Sequence, residues 1–571
     1  MMIFIILLVK IEAAPCPLTR RLCRFKNREL KSFATRIRLS GGHGSGAGVY
    51  RPEKKKKRKK TLIFPHWIGN NHGFINKTVN DMEKIITCFL AGGDASWVNQ
   101  TVSGLRQSPL TGEIYVLNTG HLRERDLPGI QLLEKGSLVS TSTLREITAR
   151  TTLPYTLFYT RSEALEPGPW ALERMVQVLE DTGAGMVYAD YYAMKEGKRL
   201  PHPVIDYQKG SLRDDFNFGS LLLFDTNAVK EAVDRMEREF RFAALYDLRL
   251  KISQSWPLVR IPEFLYTETE TDLRKSGEKQ FDYVDPRNRA VQIEMEEACT
   301  LHLADIGALL KPPFGRVTFG DTPFPCEASV IIPVRNREKT IEDAVRSVLS
   351  QQTRFEFNLI VVDNHSTDGT TSLLEWMASQ DPRLIHIIPG RNDLGIGGCW
   401  TTAIMDPRCG RFAVQLDSDD LYIDDQVLQT IVDTFYAEAC AMVVGSYRMV
   451  NFKLEEIPPG VIDHKEWTLE NGPNNALRIN GLGAPRAFYT PLLRQVRIPN
   501  TSYGEDYAVG IRLSRTWKIG RIYKPLYLCR RWEDNSDAAL DVVKMNQHNL
   551  YKDRLRTYEL MARVHLNRCR D

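Results

Sequence analysis

From residue 84 the chain alternates short runs of apolar, β-branched residues with stretches whose apolar positions recur at helical spacing. KIITCFL (84–90) predicts a buried strand, VNQTVSGLRQ (98–107) a helix and EIYVLN (113–118) a second strand. The succession begins again near Ala328. ASVIIPV (328–334) reads as a strand, EDAVRSVLSQ (342–351) as a helix with Ala344, Val345, Val348 and Leu349 on one face, and NLIVVD (358–363) as the next strand. Strands alternating with helices predict an α/β fold, a mostly parallel sheet flanked by helices.

The parallel between the two stretches continues. LFYTRSEALEPG (157–168) matches VQLDSDDLYIDD (414–425), GMVYADYYAM (185–194) matches AMVVGSYRMV (441–450), and ALYDLRLKIS (244–253) matches EDYAVGIRLS (505–514). Six blocks in one order predict an internal duplication, with a unit too long for a solenoid. The expected organisation is a domain at 82–303, a Pro- and Gly-rich linker at 304–325, a second domain at 326–540 and a helical segment at 541–571. In that last segment Leu550, Leu555, Leu560 and Val564 recur at helical intervals, which predicts packing on the second domain.

Composition adds little except through its distribution. At 43% hydrophobic and 26% charged, with 38 glycines and 29 prolines, the chain is neither collagen-like nor disordered throughout. The formal charge of +5 conceals an asymmetry: residues 1–81 hold 18 Lys and Arg against four acids, so the remainder is net acidic. GGHGSGAGVYRPEKKKKRKK (41–60) has no periodicity that could fold. Residues 1–81 are read as a disordered basic leader upstream of a start at Met82. A solvated tail, a cloning remnant and a segment binding nucleic acid or an anionic membrane are the other readings. On the adopted reading the leader's charge says nothing about partners, and no nucleic acid is expected.

Ten cysteines without CxxC or zinc-ligand spacing predict free thiols in a reducing compartment. The longest apolar run, Ile3 to Val9, is far short of the ~20 residues of a membrane-spanning helix, and no basic residue precedes it as in a signal peptide. A cytoplasmic location follows as the expectation.

Candidate chemistry lies in the second copy, whose strands end in carboxylates: Asp363 after LIVV, then Asp417, Asp419 and Asp420 after RFAVQL. Ligands of open parallel sheets bind outside the carboxyl ends of strands. DxD spacing lets Asp417 and Asp419 share one hard cation or divide a cation and a ribose. DSDD alone is more simply an acidic turn. VVDNHSTDGT (361–370) and GEDY (504–507), in the same order behind the same strands, change that balance.

With IIPVRNREKTI (331–341), VVDNHSTDGT, QLDSDDL (415–421), GEDYAVGIRLS (504–514) and CRRWEDNS (529–536), residues 328–540 resemble a family 2 glycosyltransferase of the type A nucleotide-sugar fold. The resemblance implies that Pro333, Val334 and Arg335 line a nucleotide pocket with Glu338 nearby, and that Asp363 holds the base, usually uracil. It implies Asp417 at the ribose and diphosphate and Asp419 as ligand of Mg2+ or Mn2+. Asp506 matches the catalytic base, which takes the acceptor hydroxyl's proton as that oxygen attacks the sugar, inverting the anomeric centre. Glu505 is expected to contact sugar hydroxyls, or to cap the following helix. Trp532 stands where relatives often carry a third, histidine, metal ligand. Arg530 and Arg531 are candidates for the diphosphate, or else surface arginines. Trp400 reads as core packing rather than a sugar-stacking ring.

The first copy lacks these acids: Asn118, Thr160, Ser162 and Glu163 replace Asp363, Asp417, Asp419 and Asp420, and Ala244 with Leu245 replace Glu505 with Asp506. It is expected to be inert as a metal-dependent transferase and to serve dimerisation, acceptor binding or docking. Asp190 and Asp247 are its remaining notable acids, Asp190 read as a turn or cap residue.

The expected activity is transfer of a sugar from a nucleoside-diphosphate donor, UDP by resemblance, to a hydroxyl of a glycan or lipid-linked acceptor in surface polysaccharide synthesis. Peripheral association with the inner membrane face and a homodimer are entertained as partners. A non-catalytic glycan-binding or assembly scaffold is the alternative. A nucleotidyltransferase is disfavoured because IIPVRNREK lacks a Gly-rich phosphate loop.

Overall fold

The computed structural model describes residues 83–569 apart from 119–121, 124, 126, 135, 270–287, 466 and 533–540; the basic leader lies outside the described residues. Its first sheet contains β1 (Ile86–Ala91), β2 (Thr111–Leu117), β3 (Gln131–Leu133), β4 (Tyr155–Tyr159), β5 (Leu165–Pro167), β6 (Met186–Lys195), β7 (Lys198–His202), β8 (Leu221–Asp225) and β9 (Leu258–Thr269). The second contains β10 (Ala328–Val334), β11 (Phe357–Asp363), β12 (Leu384–Ile387), β13 (Phe412–Gln415), β14 (Leu421–Tyr422), β15 (Met442–Asn451), β16 (Glu456–Ile462), β17 (Arg486–Tyr489) and β18 (Ile519–Arg531). The strand orders, β3-β2-β1-β4-β8-β6-β9-β5 and β12-β11-β10-β13-β17-β15-β18-β14, correspond strand for strand. So do the side pairings of β7 on β6 and β16 on β15. Two α/β domains of the same topology in tandem are the architecture.

The first four strands of each sheet are parallel, as the alternation predicts, and helices join them except between β2 and β3, where no α-helix is described. Beyond them the sheets are mixed: β8 is antiparallel to both β4 and β6, and β7 to β6. The expectation of a mostly parallel sheet therefore describes one half of each domain. For β7 the reason is local. Glu196 and Gly197, both with positive φ, make a two-residue turn between Lys195 and Lys198, and such a hairpin can only reverse the chain.

Strand register makes the two copies superposable residue by residue. Leu223 of β8 pairs with Leu157 and Val187, and Ala487 of β17 pairs with Val414 and Val443. Three residues past Leu157 and Val414 stand Thr160 and Asp417; five past stand Ser162 and Asp419. A shared hydrogen bond confirms the helices: the Tyr246 hydroxyl donates to the Leu212 carbonyl, and that of Tyr507 donates to Ala476 at 2.6 Å. Gly219 and Gly483, equivalent by the same register, both hold positive φ (73° and 102°), a backbone state that a Cβ disfavours.

The helix Val542–Arg568 departs from expectation in what it buries. Its leucines pack, but its deepest side chains are charged: Asp553, Arg556, Glu559 and Arg563 are all at most 3% exposed. It touches both domains. Asp553 accepts from Ser211 (2.9 Å) and Arg213 (3.3 Å) of the first, and Arg556 donates to Asp553, the Tyr507 hydroxyl (2.9 Å) and the Ile479 carbonyl (2.9 Å). Glu559 is paired with Arg515 and Arg563. Gly210 is required where this helix crosses, since a Cβ there would meet the Asp553 carbonyl oxygen at 2.2 Å. Asp190 lies within β6, not in a turn, bound by both Nε and Nη2 of Arg260. The eight described cysteines are all free.

Removing one partner of a fully buried ion pair leaves an uncompensated charge and typically costs about 3–5 kcal/mol. Arg556→Ala is therefore expected to lower the unfolding free energy by about that amount in chemical denaturation, whereas Arg354→Ala, in an exposed pair with Asp433, should change it by less than about 1 kcal/mol.

Candidate active site

The carboxyl ends of β10, β11 and β13 face the start of the helix Glu505–Ser514, and most of the predicted residues meet there. Val334 pairs with Asp363 in the β10–β11 register, with Pro333 one step earlier and Arg335 exposed just beyond. Glu338 is exposed and folds over Gly369, where a Cβ would lie 2.2 Å from its carboxylate.

Asp363 is fully buried, and both its oxygens are engaged: one accepts from the Ser366 amide (2.9 Å), the other from the Thr371 hydroxyl (2.5 Å). Burial pushes this carboxyl up, but the hydrogen bonds from Ser366 and Thr371 outweigh it and hold it below the usual range. Asp363 thereby shapes the loop that follows β11.

Asp417 accepts from the Gln415 amide (2.9 Å), while its own N–H donates to the Tyr527 hydroxyl (3.1 Å). Crowding by protein pushes its carboxyl up, Arg486 opposes this, and Asp419 adds to the rise. Asp419 accepts from the Trp532 indole (3.3 Å) and lies 3.8 Å from Arg337. Asp420 turns inward to accept from the Arg530 amide (2.8 Å); burial, then Asp419 and Asp417, raise its carboxyl well above the usual range. Two acids on the turn raise the protonation affinity of a third, which is the electrostatic character that a hard divalent cation would relieve. Among the described residues no cluster of three His, Cys, Asp or Glu side chains could hold a metal ion by itself, so Asp417 and Asp419 would leave further positions to oxygens from outside the protein.

Arg530 differs from expectation. It is 2% exposed, and its guanidinium donates to the Asp419 carbonyl, to Asp343 (2.9 Å) and to Thr340. A buried guanidinium with those partners braces the acidic turn and has no open face for a diphosphate. Arg531 ends the same strand and is half-buried. Trp400 is core, edge-on to Phe488.

Asp506 is held by a residue that the sequence did not single out. Arg486, the first residue of β17, places Nη1 3.0 Å from Asp506 and anchors the same nitrogen on the Gly483 carbonyl at 2.8 Å. A second cation, Lys552 of the C-terminal helix, donates to the Asn480 carbonyl (2.6 Å) and lies over the Tyr503 ring. Burial would raise the Asp506 carboxyl, but Arg486 and then Lys552 hold it below its ordinary value. Glu505 goes the other way: burial and then the Asp506 charge raise it to about 8, and its Oε2 is buried without a hydrogen-bond partner. The pair is thus one ionised and one protonated carboxyl at neutral pH. Gly397 makes the close approach possible, since a Cβ there would meet the Pro499 carbonyl at 1.9 Å and the Glu505 Cβ at 3.1 Å. The signal for Arg486 lay in its strand: β17 runs beside β13, whose end carries the acids, but that pairing is invisible before the fold is known.

Residues 329–493 match the family described as glycosyl transferase family 2. Among curated proteins, the chain is 33% identical over 122 residues to the putative teichuronic acid biosynthesis glycosyltransferase TuaG of Bacillus subtilis, covering 21% of this chain and 47% of that protein. It is 24% identical over 270 residues to chondroitin synthase of Escherichia coli, covering 42% of this chain and 35% of that one. With the Escherichia coli UDP-Glc:alpha-D-GlcNAc-diphosphoundecaprenol beta-1,3-glucosyltransferase WfgD it shares 32% identity over 124 residues, 22% of this chain and 46% of the other. The matches thus span between about a third and a half of these relatives. Among solved structures, S. aureus TarS 1–349 in complex with UDP aligns with 41% of this chain and 65% of that chain at 21% identity, with a TM-score of 0.32. Among the described residues no helix is long and apolar enough to cross a membrane.

A carboxyl whose folded pKa is raised loses stability as pH climbs from its unfolded value to its folded one. Glu505→Gln, which cannot ionise, should melt with wild type at about pH 4, gain on it as pH rises to about 8, and hold a constant lead above that. Equal melting temperatures throughout would show Glu505 to be solvated.

Proposed function

We propose that the second domain transfers a sugar, with inversion, from a nucleoside-diphosphate donor to a hydroxyl of a glycan or lipid-linked acceptor, in the making of a surface polysaccharide. The observation that carries this reading is the ionised Asp506, fixed by Arg486 across from the acidic strand end of Asp417 and Asp419. WfgD, by its name, uses a UDP-sugar and a diphosphoundecaprenol-linked acceptor, and TuaG is named for teichuronic acid biosynthesis. Those names favour UDP as the nucleotide and a surface glycan as the product.

In this reading Pro333, Val334, Arg335 and Glu338 border the nucleotide, and Asp363 orders the loop against which the base rests. Asp417 faces ribose and diphosphate. A divalent cation, Mg2+ or Mn2+, would be held by Asp417 and Asp419 and would neutralise charge on the leaving diphosphate. Arg530 acts indirectly, by bracing that turn, and Arg531 is left as the diphosphate contact. Asp506 takes the acceptor hydroxyl's proton as the oxygen attacks the anomeric carbon. Arg486 keeps that carboxylate ionised and oriented. Glu505, protonated, offers its carboxyl to a sugar hydroxyl. A single displacement from the face opposite the leaving group inverts the anomeric centre.

A screen of nucleotide sugars for hydrolysis and transfer by the full chain tests the reading. One UDP-sugar is expected to be consumed in an EDTA-sensitive reaction, and Asp506→Asn should slow it by about 10²–10⁴-fold. Consumption of no donor would overturn the assignment. With an active donor in hand, Arg486→Met should shift the acid limb of the rate profile to higher pH, because Asp506 loses the cation that lowers its pKa. An unmoved limb would remove Asp506 from the role of base.

A further inference from the structure

The mouth of the first sheet retains a cavity of about 220 Å3, lined by Arg161, Tyr191, His202, Asp214, Asn217 and Glu268 among others. Its position is that of the acidic mouth in the second domain. Arg161 stands between Thr160 and Ser162, the register equivalents of Asp417 and Asp419, and Glu268 pairs with Ala193 as Cys529 pairs with Met449. The volume lies below the roughly 300–1,000 Å3 of pockets for drug-sized ligands and suits a single ring.

The lining is fixed in place by bonds of its own. Glu268, 1% exposed, pairs with Arg161 at 3.1 Å and accepts from the Ser220 hydroxyl. The Asn217 amide nitrogen reaches the Tyr191 hydroxyl (3.3 Å) and His202 Nε2 (3.2 Å), while its oxygen accepts from the Gly219 amide (2.8 Å). Tyr266, Tyr191 and His202 form a ladder of rings, with centroids 5.5 and 4.5 Å apart and planes within 15°. Asp214 is paired with Arg478, and Asp215 with Arg213 at 2.7 Å.

These features select a ligand class. Each charged group facing the cavity is matched by an opposite charge, so neither a phosphate nor a bare cation gains a net field there. Fixed carboxylate, amide and guanidinium groups offer donors and acceptors in pairs, as neighbouring hydroxyls require. An aromatic ladder with half-buried His202 at its outer end offers an apolar surface beside them. The cavity is also wired to the active site: Arg478 and Asn480 of the second domain contact Asp214 and Asp215, and Lys552 donates to the Asn480 carbonyl beside Asp506.

We propose that this cavity binds one uncharged sugar ring of the acceptor glycan, at a distance from the ring being extended. The inference rests on the glycosyltransferase reading for the word acceptor, and on the cavity alone for the word sugar.

The test uses the full chain on an array of immobilised neutral oligosaccharides, with His202→Ala, Asn217→Ala and Asp506→Asn beside wild type. Wild type and Asp506→Asn are expected to be retained on the same glycan, and each cavity variant to bind it about tenfold more weakly. Retention of no glycan would overturn the proposal. So would retention untouched by both cavity variants, or lost with Asp506→Asn alone. Hydrogen exchange with that glycan in solution guards against misfolded variants: new protection is expected over residues 188–220, and protection confined to the second domain would overturn the proposal. Donor hydrolysis reads the second domain alone. Its absence with glycan retention intact would sink the transferase reading, while retention lost with hydrolysis intact would sink this one.

Discussion

Arg486 stands between two sets of acids that the fold forces together. Asp417 comes from the end of one strand and Glu505 with Asp506 from the start of a helix, and like charges this close cannot all be ionised. The protein resolves the conflict with one cation and one proton: Arg486 keeps Asp506 charged and Glu505 keeps its hydrogen. Much of the surrounding structure serves that spacing. Gly397 lets the neighbouring loop press against the helix start, Tyr507 pins the first turn to Ala476, and the C-terminal helix contributes Lys552 from the far side.

The first domain shows what happens when this constraint is lifted. By register Leu222 occupies the place of Arg486 and Leu245 that of Asp506, so both halves of the ion pair have become apolar together. Losing one alone would leave a buried charge without a partner, whereas exchanging both for hydrocarbon is close to neutral or favourable. The scaffold did not need to change. Strand order, pairing directions, the left-handed glycine before β8 and the tyrosine hydrogen bond all persist. Charge and fold are separable here because the buried charges fall on a few residues at the ends of central strands and the start of one helix.

What could be read from the chain follows the range of the interactions involved. The strands and the duplication were legible because apolar periodicity is local and appears twice. Asp417, Asp419, Glu505 and Asp506 were legible because each directly follows a strand or opens a helix. Strand direction was not, since it is set by connections such as the hairpin turn Glu196–Gly197, which an alternation of helices and strands does not announce. Arg486 and Lys552 escaped because their meaning depends on partners 20 and 46 positions away. Arg530 reads in the sequence as a surface or ligand-facing cation and is instead buried against Asp343. The same bias sets the leucines of the C-terminal helix above its charges, which go deepest.

That helix has a consequence for how the protein comes into being. The chain is made from its N-terminus, so both sheets and Asp506 are complete before Lys552 and Arg556 leave the ribosome. Until they dock, Asp506 lacks one of its two cations, and the seam that Asp553 draws with Ser211 and Arg213 is open. Maturation of the site and docking of the helix on both domains are therefore one event, which follows synthesis of both sheets. A chain made only as far as Asp506 would hold these acids without the full arrangement that sets their charge.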